Sequence, residues 1–125
     1  MTPAQDALVT AIRQRFGEKA VVTDRDSIAP WLVDWRGRYR GEAPAILAPA
    51  TREEAAAIVA LAHGHGAALV PQGGNTSMVG GATPPADGSA LILSLRRMNR
   101  IRSIAADANL AEVEAGVILA DLHGA

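Results

Sequence analysis

The stretch from residue 44 to residue 70 leaves this chain few folds to choose from. An apolar run, Ala45-Ile46-Leu47-Ala48, is followed by a proline and then by Thr51, placed as a helix N-cap with Glu54 at the capping-box position. A helix through about His63 is expected. Beyond Gly64 and Gly66 comes a second apolar run, Ala67-Ala68-Leu69-Val70. Strand, helix and strand in so short a span form a βαβ unit, for which parallel pairing and a right-handed crossover are expected. A third run, Ala90-Leu91-Ile92-Leu93, is expected to join the same sheet.

The flanks read differently. Leu8, Ile12 and Phe16 recur at intervals of four, which predicts a helix over residues 4–16 with one apolar stripe, stopped by Gly17. Val21-Val22-Thr23 is short and β-prone, and Asp24-Arg25-Asp26-Ser27 can cap a turn of helix through Trp31. Residues 34–41, Asp-Trp-Arg-Gly-Arg-Tyr-Arg-Gly, have the composition of a loop. Past Arg96, Ile101 and Ile104 precede a turn at 106–109. Ala111-Glu112-Val113-Glu114-Ala115 then alternates small or apolar with acidic, the period of a strand with one wet face. Gly116 breaks that run, and a helix is expected to begin in Val117-Ile118-Leu119-Ala120-Asp121-Leu122. The chain is therefore expected to hold one α/β lobe nearly complete and a second, antiparallel one just opened.

Between the second and third apolar runs lies a glycine- and proline-rich segment from Pro71 to Gly88, too long for an idle turn. Its first part reads Pro71-Gln72-Gly73-Gly74-Asn75-Thr76-Ser77-Met78-Val79-Gly80-Gly81 and directly follows an expected buried strand. Glycines let the backbone approach a ligand, so that successive N–H groups can face an anion while Asn, Thr and Ser add donors. Phosphate is the ligand such a loop suits, and a long surface turn is the plainer alternative. It is neither the lysine-containing P-loop nor the dinucleotide fingerprint, because no lysine follows and the glycine spacing differs.

These residues resemble the pyrophosphate-binding loop of FAD-linked oxidases of the vanillyl-alcohol-oxidase type, in particular the branch of D-2-hydroxyglutarate dehydrogenase, D-lactate dehydrogenase and the glycolate oxidase D subunit. The resemblance extends to Asp34-Trp35-Arg36-Gly37-Arg38-Tyr39-Arg40-Gly41, to Leu93-Ser94-Leu95 with Arg97-Met98-Asn99-Arg100-Ile101, and to Val113-Glu114-Ala115-Gly116-Val117. It implies an α+β fold, a PCMH-type FAD-binding domain whose first lobe is a small parallel sheet flanked by helices and whose second lobe is antiparallel, with the flavin between them. Residues 1–41 are then an N-terminal helical and loop segment and 42–125 a partial FAD-binding domain. By the same resemblance Gln72, Gly73, Gly74, Asn75 and Thr76 form the core of the diphosphate cradle. Ser77, Gly80 and Gly81 continue it, with Pro71 and Gly116 at its margins. Members that bind flavin covalently carry a histidine near the position of Asn75, so non-covalent FAD is implied here.

Other residues carry weaker signals. Arg36, Arg38 and Arg40 suit a substrate carboxylate or the FAD phosphates, or acidic groups elsewhere in a larger protein. His63 and His65 are expected to cap a helix C-terminus rather than bind a metal. Arg96, Arg97, Arg100 and Arg102 suggest nucleic acid. A net charge of 12 − 13 = −1 and an aromatic content of 3% oppose that, so a solvated surface is expected. Trp31, Trp35 and Tyr39, four apart, are expected to pack as a ridge in the core. The absence of cysteine excludes a disulfide scaffold or a thiolate metal site. No apolar stretch approaches the roughly 18 residues of a membrane span and no signal-like start is present, so a cytoplasmic protein is expected.

The expected function is the FAD-binding part of a flavin-dependent 2-hydroxy acid dehydrogenase or oxidase, with a small 2-hydroxy acid as substrate of the full-length enzyme. No catalytic residue and no metal ligand is assigned within the chain, and by itself it is expected to bind FAD weakly. The alternative is a free-standing, non-catalytic α/β module that grips a phosphate-containing ligand or a partner protein.

Overall fold

A computed structural model describes all residues 1–125. Helix α1 (Pro3–Phe16) starts in a capping box in which Thr2 and Gln5 satisfy each other's backbone N–H groups, and it ends at Gly17, φ +85°. Strand β1 (Val21–Val22) and the short helix α2 (Arg25–Ile28) follow. Asp24 accepts from the Ser27 N–H to cap α2, and a 3-10 turn carries the chain to Leu32. Strand β2 (Ile46–Leu47) leads to helix α3 (Arg52–His65) and strand β3 (Ala68–Gln72). The glycine-rich segment leads to strand β4 (Ala90–Ser94). The chain closes with strand β5 (Ile101–Ala105), strand β6 (Leu110–Val113) and helix α4 (Leu119–His123).

The expected α+β architecture is present: one sheet ordered β1-β2-β4-β3 and a separate antiparallel hairpin β5-β6. Two details of the first sheet differ from the sequence reading. Strands β2 and β3 are parallel but not adjacent, because β4 lies between them and pairs in parallel with both. All five residues of β4 are buried, whereas β3 is half exposed and takes the sheet edge. An uninterrupted apolar run suits the centre of a parallel sheet, and Pro71, which has no N–H to donate, suits its edge. The other edge is β1, antiparallel to β2, so the sheet is mixed.

Alternation along the strands builds two cores. Ala45, Leu47, Leu91 and Leu93 face Leu8, Val9 and Ile12 of α1 and Ile58 and Ala62 of α3. Ile46 and Ile92 point the other way, onto Ile28, Leu32 and Ala43, with Trp31 packed against them. Only Trp31 of the expected aromatic ridge packs in this way. Trp35 and Tyr39 are 59% and 44% exposed, because the 34–40 segment is the expected loop and turns at Gly37, φ +70°, so a spacing of four does not align the three rings.

Thr51 caps α3 as expected, through the Glu54 N–H, but the Glu54 carboxylate reaches back to the Ala50 N–H rather than to that of Thr51. The helix runs on to His65, with Gly64 inside it and Gly66 closing it in the left-handed conformation. His63 and His65 thus lie in its last turn, exposed. The β5-β6 hairpin turns through Asn109, φ +54°. Strand β6 was expected to have one wet face, yet both faces of the hairpin are open and Ile104 and Leu110 are 52% and 66% exposed, since no layer of this chain packs on them.

Leu91, fully buried at the centre of the larger core, sets the scale of stability. Leu91→Ala is expected to cost about 2–5 kcal/mol, whereas Val59→Ala on the exposed side of α3 should cost under about 0.5 kcal/mol. Urea unfolding of the two variants checks this, and equal midpoints would contradict the assigned core.

Candidate cofactor site

The parallel ladder brings the ends of β3 and β4 together, with Gln72 beside Ser94 in register and the Leu95 N–H donating to the Gln72 carbonyl at 3.0 Å. The glycine loop leaves the sheet at this end, where ligands bind in open parallel sheets.

Gln72 is the buried root of the loop, 1% exposed. Its Nε2 donates to the Trp31 carbonyl and to the Ala82 carbonyl, both at 3.0 Å, so one amide joins the start of the loop, its far side and the segment ahead of residue 34. Its Oε1 is buried without a partner. Asn75 adopts the left-handed conformation, φ +58°, which asparagine tolerates better than most residues, and its Nδ2 donates to the Val33 carbonyl at 2.8 Å. The Ser77 hydroxyl accepts from the Gly81 N–H at 3.1 Å and so closes the loop on itself.

With these side chains committed to the frame, the backbone is left free. No N–H from Gly73 through Gly80 donates to any acceptor in the chain, in a stretch that includes the half-buried Gly73, Asn75, Ser77 and Gly80. Around Gly73 nothing would meet an added Cβ within 4 Å, so the loop is open at that point. Such a run of free donors on a glycine-bearing loop suits the oxyanions of a diphosphate. Thr76 is exposed and Pro71 lies on the edge strand.

The second lobe meets the loop. An added Cβ at Gly74 would lie 3.1 Å from Ile118 Cδ1, and one at Gly116 would lie 1.8 Å from the Leu95 carbonyl oxygen. Gly116 also donates its N–H to the Met98 carbonyl at 2.9 Å, and its close contacts are with the 95–98 backbone. Behind it, buried Glu114 accepts from the Arg100 N–H at 2.9 Å and lies 3.5 Å from Arg102.

The arginines divide by task. Arg97 was expected on a solvated surface. Instead its Nη1 donates to the Ala48 carbonyl at 2.6 Å and the Lys19 carbonyl at 3.1 Å, which pins the β4–β5 connection to the sheet end. Arg96 lies over the Trp31 ring at 5.0 Å. Arg25 pairs with Glu42, and that hydrogen bond holds the Glu42 carboxyl below the usual range. Arg36, Arg38 and Arg40 form no ion pair, and Arg36 lies 5.4 Å from the Trp35 ring centre. A concavity of about 520 Å³ between α1 and α3, lined by Arg15, Leu61 and His65 among others, includes no residue of the loop.

Residues 43–125 match a family model described as an FAD binding domain. The chain belongs to this family of FAD-binding domains. The cofactor of the family is FAD, and the free donors of the glycine loop fit its diphosphate. The chain is similar to D-2-hydroxyglutarate dehydrogenase, mitochondrial, of Bos taurus, 39% identical over 87% of this chain and 20% of the relative. It is also similar to the probable D-2-hydroxyglutarate dehydrogenase, mitochondrial, of Oryza sativa subsp. indica, 33% identical over 91% of this chain and 20% of the relative. A D-2-hydroxyglutarate–pyruvate transhydrogenase of Saccharomyces cerevisiae is 35% identical over 78% of the chain and 19% of the relative. The chain thus spans about a fifth of the length of these relatives. Among solved structures, alkyldihydroxyacetonephosphate synthase superposes with a TM-score of 0.80 at 20% identity, over 95% of this chain and 24% of that one. For p-cresol methylhydroxylase with substrate bound the TM-score is 0.76 at 19% identity, over 99% and 24%. Both share the fold of this FAD-binding domain.

Sequence reasoning placed the loop but not the clamp behind it. Nothing in the spacing of Gln72 and Asn75 shows that their amides reach carbonyls at residues 31, 33 and 82, nor that Tyr39 lies against Gly80 with ring atoms 3.2 Å from where a Cβ would stand. Two substitutions separate the roles of Asn75. Asn75→Gly keeps the backbone geometry and loses the Val33 bond and the longer 3.4 Å bond from Gln72 Nε2, at about 1 kcal/mol, while Asn75→Ala adds about 1 kcal/mol or more of left-handed strain. Chemical denaturation should rank the parent first, then glycine, then alanine. Equal stability of the two variants would show that φ is not held at this position.

Proposed function

We propose that this chain is the FAD-binding portion of a flavin-dependent 2-hydroxy acid dehydrogenase or oxidase of the D-2-hydroxyglutarate or D-lactate type. The observation that carries the reading is the loop from Gly73 to Gly80, whose backbone donors have no internal acceptor, in a domain of the FAD family similar to dehydrogenases of D-2-hydroxyglutarate. The free-standing module gains no support from these similarities.

In this reading Gln72, Gly73, Gly74, Asn75 and Thr76 form the core of the diphosphate cradle. Ser77, Gly80 and Gly81 extend it, with Pro71 and Gly116 at its borders. The backbone N–H groups bind the phosphate oxygens, and the buried amides of Gln72 and Asn75 keep the loop in the shape that presents them. Gly116 lets the second lobe approach the 95–98 backbone closely enough to bring Ile118 over Gly74. When bound, FAD supplies two-electron oxidation of a CH–OH group, chemistry that no side chain can provide. Catalysis of proton removal is assigned to no residue of this chain, whose part is to hold and orient. Residues 42–125 are proposed as the FAD-binding part, with 1–41 the segment packed on it.

Non-covalent attachment is proposed because covalently flavinylated members of the resembled family carry a histidine near the position of Asn75, whose amide here is bonded to Val33. For the compartment, no helix is long and apolar enough to cross a membrane. A cytoplasmic location is proposed from the sequence, and it stands against the word mitochondrial in the names of the rice and bovine relatives.

Gly74→Val in the full-length protein that contains this chain is the direct test. A branched side chain there meets Ile118 and blocks approach to the loop, so FAD affinity, followed by flavin fluorescence, is expected to fall by ~100-fold or more. Unchanged affinity would overturn the cradle. Acid precipitation of the FAD-loaded protein should release all the flavin to the supernatant, and yellow pellet protein would contradict non-covalent binding.

A further inference from the structure

The glycine loop contains no charged side chain from Pro71 through Ala86, so any positive charge for an anion held there must come from another element. A strand-turn-strand piece, residues 33–40, lies against it. Val33 and Arg40 form an isolated antiparallel bridge. Inside it the Asp34 N–H donates to the Tyr39 carbonyl at 3.1 Å, the Tyr39 N–H to Asp34 Oδ1 at 2.8 Å, and the Gly37 N–H to the Asp34 carbonyl at 2.9 Å.

Three contacts tie this hairpin and the turn before it to the loop. Gln72 donates to the Trp31 carbonyl, Asn75 donates to the Val33 carbonyl, and the Tyr39 ring lies against Gly80. Gly80 is held at φ +80° with the ring 3.2 Å from a Cβ position, so nothing bulkier than glycine would let the tyrosine approach. Arg38 and Arg40 flank that tyrosine. Standard bond lengths and the fixed spacing of successive Cα atoms put their Cα atoms within about 11 Å of the Gly80 Cα. An arginine side chain is several ångströms long, so from these positions both guanidiniums can reach within the screening length of about 8 Å of the loop.

These charges are also uncompensated. Neither Arg38 nor Arg40 has an ion-pair or hydrogen-bond partner through its side chain, and both are exposed. The neighbouring carboxylates offer little competition. Glu42 is engaged by Arg25, Asp87 is engaged by Ser89, and Asp34 is 3% exposed beneath the hairpin, bonded to the Tyr39 N–H. Asp34 is one negative charge against the three positive charges of Arg36, Arg38 and Arg40. Its second oxygen, Oδ2, is buried without a partner.

We propose that the 33–40 hairpin is the second wall of the anion site, with Arg38 and Arg40 supplying the positive charge that the glycine loop lacks. The ligand chemistry is a phosphate or carboxylate oxyanion, and it has two sources in this reading: the FAD diphosphate or the carboxylate of a 2-hydroxy acid. The inference rests on the assignment of the glycine loop to FAD. It extends the site to residues ahead of the stretch matched by the family model, which begins at residue 43.

The experiment uses the full-length enzyme that contains this chain and compares the parent with Arg38→Gln/Arg40→Gln, Arg38→Lys/Arg40→Lys and Gly74→Val, each checked for its far-UV spectrum. FAD and riboflavin affinities are measured at low and at high salt. For the glutamine pair FAD is expected to bind ~10-fold more weakly at low salt, with the deficit shrinking as salt rises and riboflavin unaffected. Lysine should restore most of the affinity, which a purely structural role for the arginines would not predict. Unchanged FAD affinity with KM for a 2-hydroxy acid raised ~10-fold and kcat kept would assign the arginines to the substrate carboxylate, the other source of the same chemistry. If the glutamine pair changes neither quantity while Gly74→Val loses FAD, the hairpin proposal is overturned and the cradle stands. If Gly74→Val also binds FAD normally, the cradle itself fails and the hairpin proposal fails with it.

Discussion

The insertion of β4 between β2 and β3 is the constraint from which the rest of the molecule follows. A strand buried on both faces and paired on both edges has one stable place in a sheet this small, the interior. Once it is there, the crossover through α3 must pass over it, and β3 is left at the edge with its C-terminal end beside that of β4. Gln72 is then paired with Ser94, and the loop after one strand opens next to the connection after the other. That connection is pinned by Arg97 to the carbonyls of Lys19 and Ala48 and carries the chain into the second lobe. The two lobes meet beside the glycine loop because the central strand brings both connections out at the same end of the sheet.

A division of labour runs through the site. Side chains with hydrogen-bonding capacity, Gln72, Asn75 and Ser77, are directed into the protein, where they fix backbone carbonyls or close the loop. The groups left without an acceptor are main-chain N–H groups, which have no rotamers to order. Fixing donors before the ligand arrives lowers the entropy cost of binding, the general advantage of a preorganised site. It also explains why the side-chain identities in the loop say little by themselves about what is bound.

How much of this was legible in the sequence follows from the range of each interaction. Capping residues, helix-stopping glycines and short apolar runs act over a few residues, and Thr51, Gly17 and the Ala90–Leu93 run announced their elements, while the helix expected to stop near His63 runs through Gly64 to His65. Strand order could not be read, because β2-β3 and β2-β4-β3 arrangements have the same local patterns and differ only in which strand is buried on both sides. The Gln72–Trp31 and Asn75–Val33 bonds span 41 and 42 residues and left no trace in spacing. Spacing misled at Trp35 and Tyr39, where a period of four suggested a packed ridge and the turn at Gly37 left both rings exposed. The Arg96-to-Arg102 run looked uniform as composition, but the fold gives Arg96 an aromatic ring, Arg97 two carbonyls and Arg102 two acidic partners.

Pro71 has a consequence for how this lobe behaves among other chains. The Gln72 carbonyl points inward, to the Leu95 N–H of the neighbouring strand. Because successive residues of a strand alternate direction, the main-chain position of Pro71 points the other way, to the open side of β3. A second polypeptide aligning along that side would find a missing donor midway and a ring in its path. Edge strands invite unwanted strand-to-strand joining, and an outward proline is one of the means by which proteins discourage it. The residue that precedes the glycine loop therefore also leaves this sheet edge one donor short for pairing with another strand.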